Sequence, residues 1–189
     1  MKTLLISLFS LFLSFSLHAQ TVANIEVPDT ISLSGQSKKL SLNGAGIRSK
    51  FVFDIYVGAL YLESKYNNAN DIYNAKGQKR ISMHFLYDEV SKEKLVSGWN
   101  DGFNNNHTND ELVKLKYRIT QFNELFITVK KGDVININFI PGTGTSVVIN
   151  DKKMGLVKSD DFFVALLKIW LGDEPADSYL KEGMLGNKS

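Results

Sequence analysis

The sequence predicts an α+β domain in which one antiparallel sheet carries helices packed on one of its faces. Three observations lead there. Apolar runs of strand type fill the stretch from Val22 to Leu86, helical spacing holds from Ser91 to Phe126, and a strand pair with tight turns follows before a last helical stretch from Ser159. No repeat or low-complexity linker interrupts this order, so residues 20–189 are expected to form a single domain.

Residues 1–19 stand apart from that domain. Met1 and Lys2 give a positive start, Leu4 to Leu17 is largely apolar, and Ala19 offers a small residue for cleavage before Gln20, which together read as a secretion signal. The apolar run is shorter than the ~20 residues of a spanning helix. A periplasmic or secreted protein is therefore expected, with no stable membrane insertion after signal cleavage.

The elements follow in order. Val22 to Leu42 alternates loosely around Pro28, as an opening strand or hairpin does. Phe51 to Leu62 (FVFDIYVGALYL) is too continuously apolar for a one-sided sheet and fits a central strand covered on both faces. Ile81 to Leu86 reads as a further strand. Ser91 opens a helix carrying Leu95, Val96, Trp99 and Phe103, and Asp110 is expected to cap a second one through Phe126. Val134 to Phe139 alternates with Asn136 and Asn138, the pattern of a strand with one wet face; PGTGT at 141–145 turns it into a returning strand, and Asn150 and Asp151 make the next turn. Ser159 and Asp160 are expected to cap a helix running to Gly172, and Asp177 to Leu185 forms a short last helix.

The inventory of reactive groups is thin. The chain has no cysteine, which removes disulfides and thiolate metal sites. A formal charge of +2 with both signs scattered gives no field to gather nucleic acid. His84 and His107 lie far apart without carboxylates at ligand spacing, so no metal, cofactor or histidine-driven triad is expected. His84 reads as a packed strand residue and His107 as a solvated loop residue. The glycines of PGTGT precede a strand rather than the helix of a phosphate loop. Asp160 and Asp161 sit at a helix start, where charge offsets the dipole. Asn106-His107-Thr108 matches a glycosylation acceptor, a weak three-residue pattern.

One stretch does stand out. In NGAGIRSKFVFDIYVGALYLE (43–63), Gly44 and Gly46 are expected to bend the chain just before Arg48, holding its guanidinium at the mouth of the sheet, where it would receive a carboxylate or oxyanion through two parallel hydrogen bonds.

This stretch resembles the opening motif of the chalcone isomerase family, in which a Gly-x-Gly-x-Arg turn leads into an aromatic strand ending in Tyr-Leu-Glu. The likeness is nearest to the exported bacterial chalcone-isomerase-like proteins. HFLYDEVSKEKLVSGWNDGF, KKGDVININFIPGTGTSVVIN, DFFVALLKIWLGDEP and MLG continue it in order over nearly the whole chain after residue 19.

The resemblance implies an open-faced β-sandwich, a curved antiparallel sheet with helices laid on it and a ligand cleft between them. It places Arg48 where plant chalcone isomerases hold the substrate oxygen, and Tyr56 where they carry a threonine. Arg48 with Tyr56 is similar to the pair that the fatty-acid-binding branch uses for a ligand carboxylate. Val90 and Ser97 fall where the plant enzymes carry a tyrosine and an asparagine, with Tyr87 a nearby substitute. The leading expectation is thus a noncatalytic protein binding a small acidic apolar ligand, with Phe53, Leu60, Met83 or Phe85 lining an apolar channel. The alternatives are an isomerase (intramolecular lyase) of chalcone isomerase type, and an interaction or scaffold protein in which Arg48 only ties the turn to Asp54 or Glu63. The sequence names no protein partner.

Overall fold

The computed structural model describes residues 19–187. The expected secretion signal lies outside these residues except for Ala19, which opens the first strand. The chain begins with a hairpin, β1 (Ala19–Val22) and β2 (Ile25–Pro28), then β3 (Thr30–Ser32), β4 (Lys39–Lys50) and β5 (Phe53–Leu62). Next come α1 (Ala69–Asn74), β6 (Lys79–Phe85), β7 (Glu89–Val90), α2 (Lys92–Asn106), α3 (Asn109–Asn123) and β8 (Val129–Lys130). The strands β9 (Val134–Ile140), β10 (Gly144–Ile149) and β11 (Lys152–Val157) precede α4 (Phe162–Leu171) and α5 (Ser178–Met184). Seven strands form one antiparallel sheet in the order β11-β10-β9-β6-β5-β4-β3.

The continuous apolar run of β5 has the expected cause. Because alternate side chains point to opposite faces, Tyr56, Leu60 and Leu62 join the core beneath the helices, while Val57, Ala59 and Tyr61 join a second core with Val27 and Leu40 on the other face. The run does not start at Phe51, however. Phe51 and Val52 form the turn, and the strand begins at Phe53.

α4 is apolar almost all round because it is the central helix, with eight of its ten residues buried. Among them is Trp170, and core rather than docking surface is its place. α2 packs on α4, with the ring of Trp99 5.7 Å from that of Trp170.

Several local expectations are corrected. Gly44 and Gly46 do not turn the chain out of the sheet; both lie inside β4, beyond a bulge between Leu42 and Gly44, and their bare Cα atoms let α5 settle on the sheet. A Cβ at Gly44 would come within 2.1 Å of the Gly183 carbonyl oxygen, and one at Gly46 within 3.2 Å of the Leu180 Cα. α3 is capped by Thr108, not Asp110: its hydroxyl accepts from the Glu111 N–H while Glu111 returns a bond to the Thr108 N–H, a reciprocal capping box. Ser91 does cap α2, accepting from the Lys94 N–H at 3.3 Å. Asp160 holds the PGTGT turn through the Gly142 N–H at 2.9 Å; the α4 start is held by Ser159, which accepts from the Phe162 N–H, and Asp161 pairs with Arg118.

Asn138 is buried and accepts from Arg80, so the second face of β9 is not simply wet. His107 is not solvated: its ring is 3% exposed and its Nε2 lies 3.1 Å from the Ala165 carbonyl oxygen. Asn106 of the glycosylation-like triplet is engaged with the Gly102 and Glu174 backbone. α1, held by an Asn68 cap, and β11 had no distinct sequence signal.

Candidate functional site

Between the end of the sheet nearest the β4–β5 turn and the helical layer lies a cleft of about 600 Å³. Strands β4 to β6 supply Arg48, Phe53, Ile55, Tyr56 and Phe85; α2 supplies Leu95, Gly98 and Trp99; α4 adds Ile169. Its size falls in the range of small-molecule sites, and its mixture of apolar walls with a few polar groups is the composition such sites have.

The structure brings the two expected site residues to one place. Arg48 on β4 and Tyr56 on β5 are directly opposed in the ladder, so their side chains share a face; a bulge between Arg48 and Ser49 sets that register, since the unshifted pairing of Lys50 with Phe53 and Ser49 with Asp54 would have put Arg48 opposite Ile55. The guanidinium carbon lies 5.7 Å from the centre of the Tyr56 ring. Among the described residues no carboxylate forms an ion pair with Arg48, and its buried Nε has no hydrogen-bond acceptor. Asp54 instead accepts from the Ser49 hydroxyl, and Glu63 from Lys38 and the Gln78 N–H, so neither ties down the arginine. Asp177 is also engaged, accepting from the Ser49 and Leu180 N–H groups.

Tyr56 is 3% exposed, and Trp170 donates to its hydroxyl oxygen at 2.9 Å. Burial pushes the phenol above its usual value of 10.0, with Arg48 and the Trp170 bond pulling the other way. The hydroxyl therefore keeps its proton and, having accepted from the indole, is left with that proton to donate. The indole N–H of Trp99, another cleft residue, is likewise buried without an acceptor. Carboxylates stand elsewhere on the lining, at Glu89, Asp101 and Glu174, but the buried donors of Arg48 and Trp99 have no acceptor, an arrangement that an anion completes.

The apolar lining differs in part from expectation. Phe53 and Phe85 do line the cleft, the latter with its ring 5.6 Å from Tyr56. Leu60 and Met83 are instead sealed in the core further along their strands, and Ile55 takes the expected role. Val90, Ser97 and Tyr87 all reach the cleft wall, with Tyr87 edge-on to Phe53 at 5.5 Å. Beyond such wall residues as Ile55 and Trp99, sequence reasoning also missed Trp170 and Gly98. A helical pattern marks Trp170 only as core, and a lone glycine in a helix carries no signal of what it faces.

A family model described as chalcone isomerase-like matches residues 19–186. Among solved structures, the crystal structure of an Arabidopsis thaliana fatty-acid binding protein is similar at a TM-score of 0.70 and 17% identity, over 89% of this chain and 96% of that one. Identity at that level speaks for the fold, a curled antiparallel sheet with helices. No curated protein matches the chain.

Proposed function

This chain belongs to the chalcone isomerase-like family, and from that premise we propose that it is an exported, noncatalytic binding protein for a small acidic apolar ligand such as a fatty acid. The observation that carries the reading is the unpaired donor set: the Arg48 Nε without an acceptor, and a Tyr56 hydroxyl whose oxygen is already engaged by Trp170. A ligand carboxylate would bridge Arg48 and Tyr56, and its tail would lie against Ile55, Phe85, Leu95 and Ile169. Each methylene buried there contributes about 0.8 kcal/mol. The structural likeness to a fatty-acid binding protein supports the ligand class.

Binding is favoured over intramolecular addition because Val90 and Ser97 stand where the resemblance puts a tyrosine and an asparagine, and the phenol nearby, Tyr87, is set edge-on against Phe53 on the cleft wall. Residues 1–19 support a periplasmic or secreted location. The test is a titration with decanoate read by the fluorescence of Trp99, which lines the cleft, and of Trp170, which donates to Tyr56. Saturable quenching in the wild type and its loss in Arg48→Ala are expected; equal affinity in the two proteins would overturn the assignment.

A further inference from the structure

The turns of this sheet differ in one respect that their chemistry does not require. Asn150 and Asp151 carry φ of 47° and 65° between β10 and β11, Gly142 and Gly144 carry 74° and 116° at the β9–β10 turn, and Ala23 and Asn24 carry 47° and 63° in the separate β1–β2 hairpin. All but the small Ala23 are residue types that left-handed backbone favours. The β4–β5 turn departs furthest. Lys50 pairs with Phe53 across a two-residue loop whose first residue, Phe51, stands at φ 57°, where such a loop takes glycine. Phe51 is 91% exposed, Val52 87% and Phe53 52%. A bulky aromatic held in a strained conformation and turned into water is a local violation of the kind that marks functional sites.

Phe51, Phe53 and Lys50 also line the rim of the cleft. We propose that this tip docks transiently on the surface of a lipid bilayer, so that the cleft exchanges its apolar ligand with the membrane. The inference rests on the proposed function for the identity of the cargo. Two aromatic rings with a lysine beside them suit the interfacial zone, where rings bury and the ammonium stays at the headgroups. A protein partner fits less well, because stable interfaces take about 800 Å² from each side, and this projection is three residues long. The charges at the rim are mixed, Lys50 and Lys94 against Glu89, Asp101 and Glu174. Insertion of the tip, not net charge, is therefore what holds it, and neutral phosphatidylcholine suffices as the surface.

The test places a reporter at the tip of the full chain. Val52→Trp in the presence of phosphatidylcholine vesicles should show emission moved to the blue and quenched by lipids brominated on their acyl chains. Val113→Trp, on the exposed face of α3, should show neither. A second variant, Val52→Asp, puts a charge at the tip on an 87% exposed side chain that does not line the cleft. It should melt within a degree or so of the wild type, bind dissolved decanoate unchanged, and take decanoate from vesicles at least about tenfold more slowly. Quenching at 113 equal to that at 52, or vesicle transfer unchanged in Val52→Asp, would overturn the docking role. Failure of dissolved decanoate to bind would instead strike the proposed function, and quenching at 52 would still decide the tip.

Discussion

Strand β5 takes part in two arginine–tyrosine pairs, one on each face of the sheet, and they behave differently. On the face away from the helices, Tyr61, Arg80 and Asn138 stand side by side across β5, β6 and β9, and the Arg80 Nε donates to the Asn138 side-chain oxygen at 2.5 Å. On the helix face, Arg48, Tyr56 and Phe85 stand side by side across β4, β5 and β6, and the row ends in a benzene ring. The first row contains its own acceptor. The second does not, and the one oxygen it has is taken by Trp170. The same two residue types thus serve structure where the row is chemically closed and remain available to a ligand where it is open, which ties recognition to the neighbour of the pair rather than to the pair itself.

The largest expected effect comes from truncating each arginine in turn. Arg48→Ala should weaken decanoate binding by about tenfold to a hundredfold, as loss of a hydrogen bond to a charged group of about 1.5–3 kcal/mol implies. Its stability should stay within about 1 kcal/mol of the wild type, because no protein acceptor loses its donor. Arg80→Ala should do the reverse. It leaves the buried Asn138 oxygen unpaired, at a cost of about 1–3 kcal/mol in urea unfolding, with decanoate affinity unchanged. If both variants lose the same property, the two rows are not functionally distinct.

Next in size is a change that leaves both pairs untouched. Gly98 lies in α2 with no heavy atom within 4 Å of where a Cβ would stand, although it faces the cleft. Glycine in a helix interior costs about 1 kcal/mol relative to alanine, and no packed neighbour requires it here. Gly98→Leu should therefore raise Tm by a few degrees while lowering decanoate affinity at least about tenfold by filling the space; unchanged affinity would show that the ligand lies elsewhere. Tyr56→Phe should have a smaller effect on binding, about fivefold for one neutral donor. It also orphans the Trp170 N–H, so here, unlike at Arg48, stability should fall by about 1–3 kcal/mol.

Legibility in the sequence followed the range of the forces involved. α2 with its Ser91 cap could be read because cap and stripe lie within a few residues of each other, and the Thr108–Glu111 box was equally local, though passed over for Asp110. Arg48 and Tyr56 were legible through family resemblance, but their common face depends on a bulge that no residue count reveals. Gly44 and Gly46 read as a bend because the reason for them, α5, lies some 140 residues later. Trp170 was seen as core, yet its hydrogen bond joins residues 114 apart, and only the packed fold brings indole to phenol. The Phe51–Val52 turn was hidden by its own composition, since an apolar turn between apolar strands looks like continuous strand.

The smallest expected effect separates the two tyrosines by titration. Burial raises the phenol of Tyr61 to about 12 and moves that of Tyr56 in the same direction, while the unfolded chain ionises both near 10. Between these limits the unfolded state has lost protons that the fold retains. The stability these groups contribute is therefore complete below pH 10 and declines as pH rises through the folded values. Bound decanoate, ionised throughout this range, would set a negative charge beside Tyr56 and make its ionisation harder still. Tyr61, on the opposite face, would not feel it at contact range. Saturating decanoate should thus shift to higher pH the part of the tyrosinate absorbance curve that Tyr56→Phe removes, and leave unmoved the part that Tyr61→Phe removes. A shift in the Tyr61 component instead would put the ligand on the other face of the sheet and reverse the roles of the two rows.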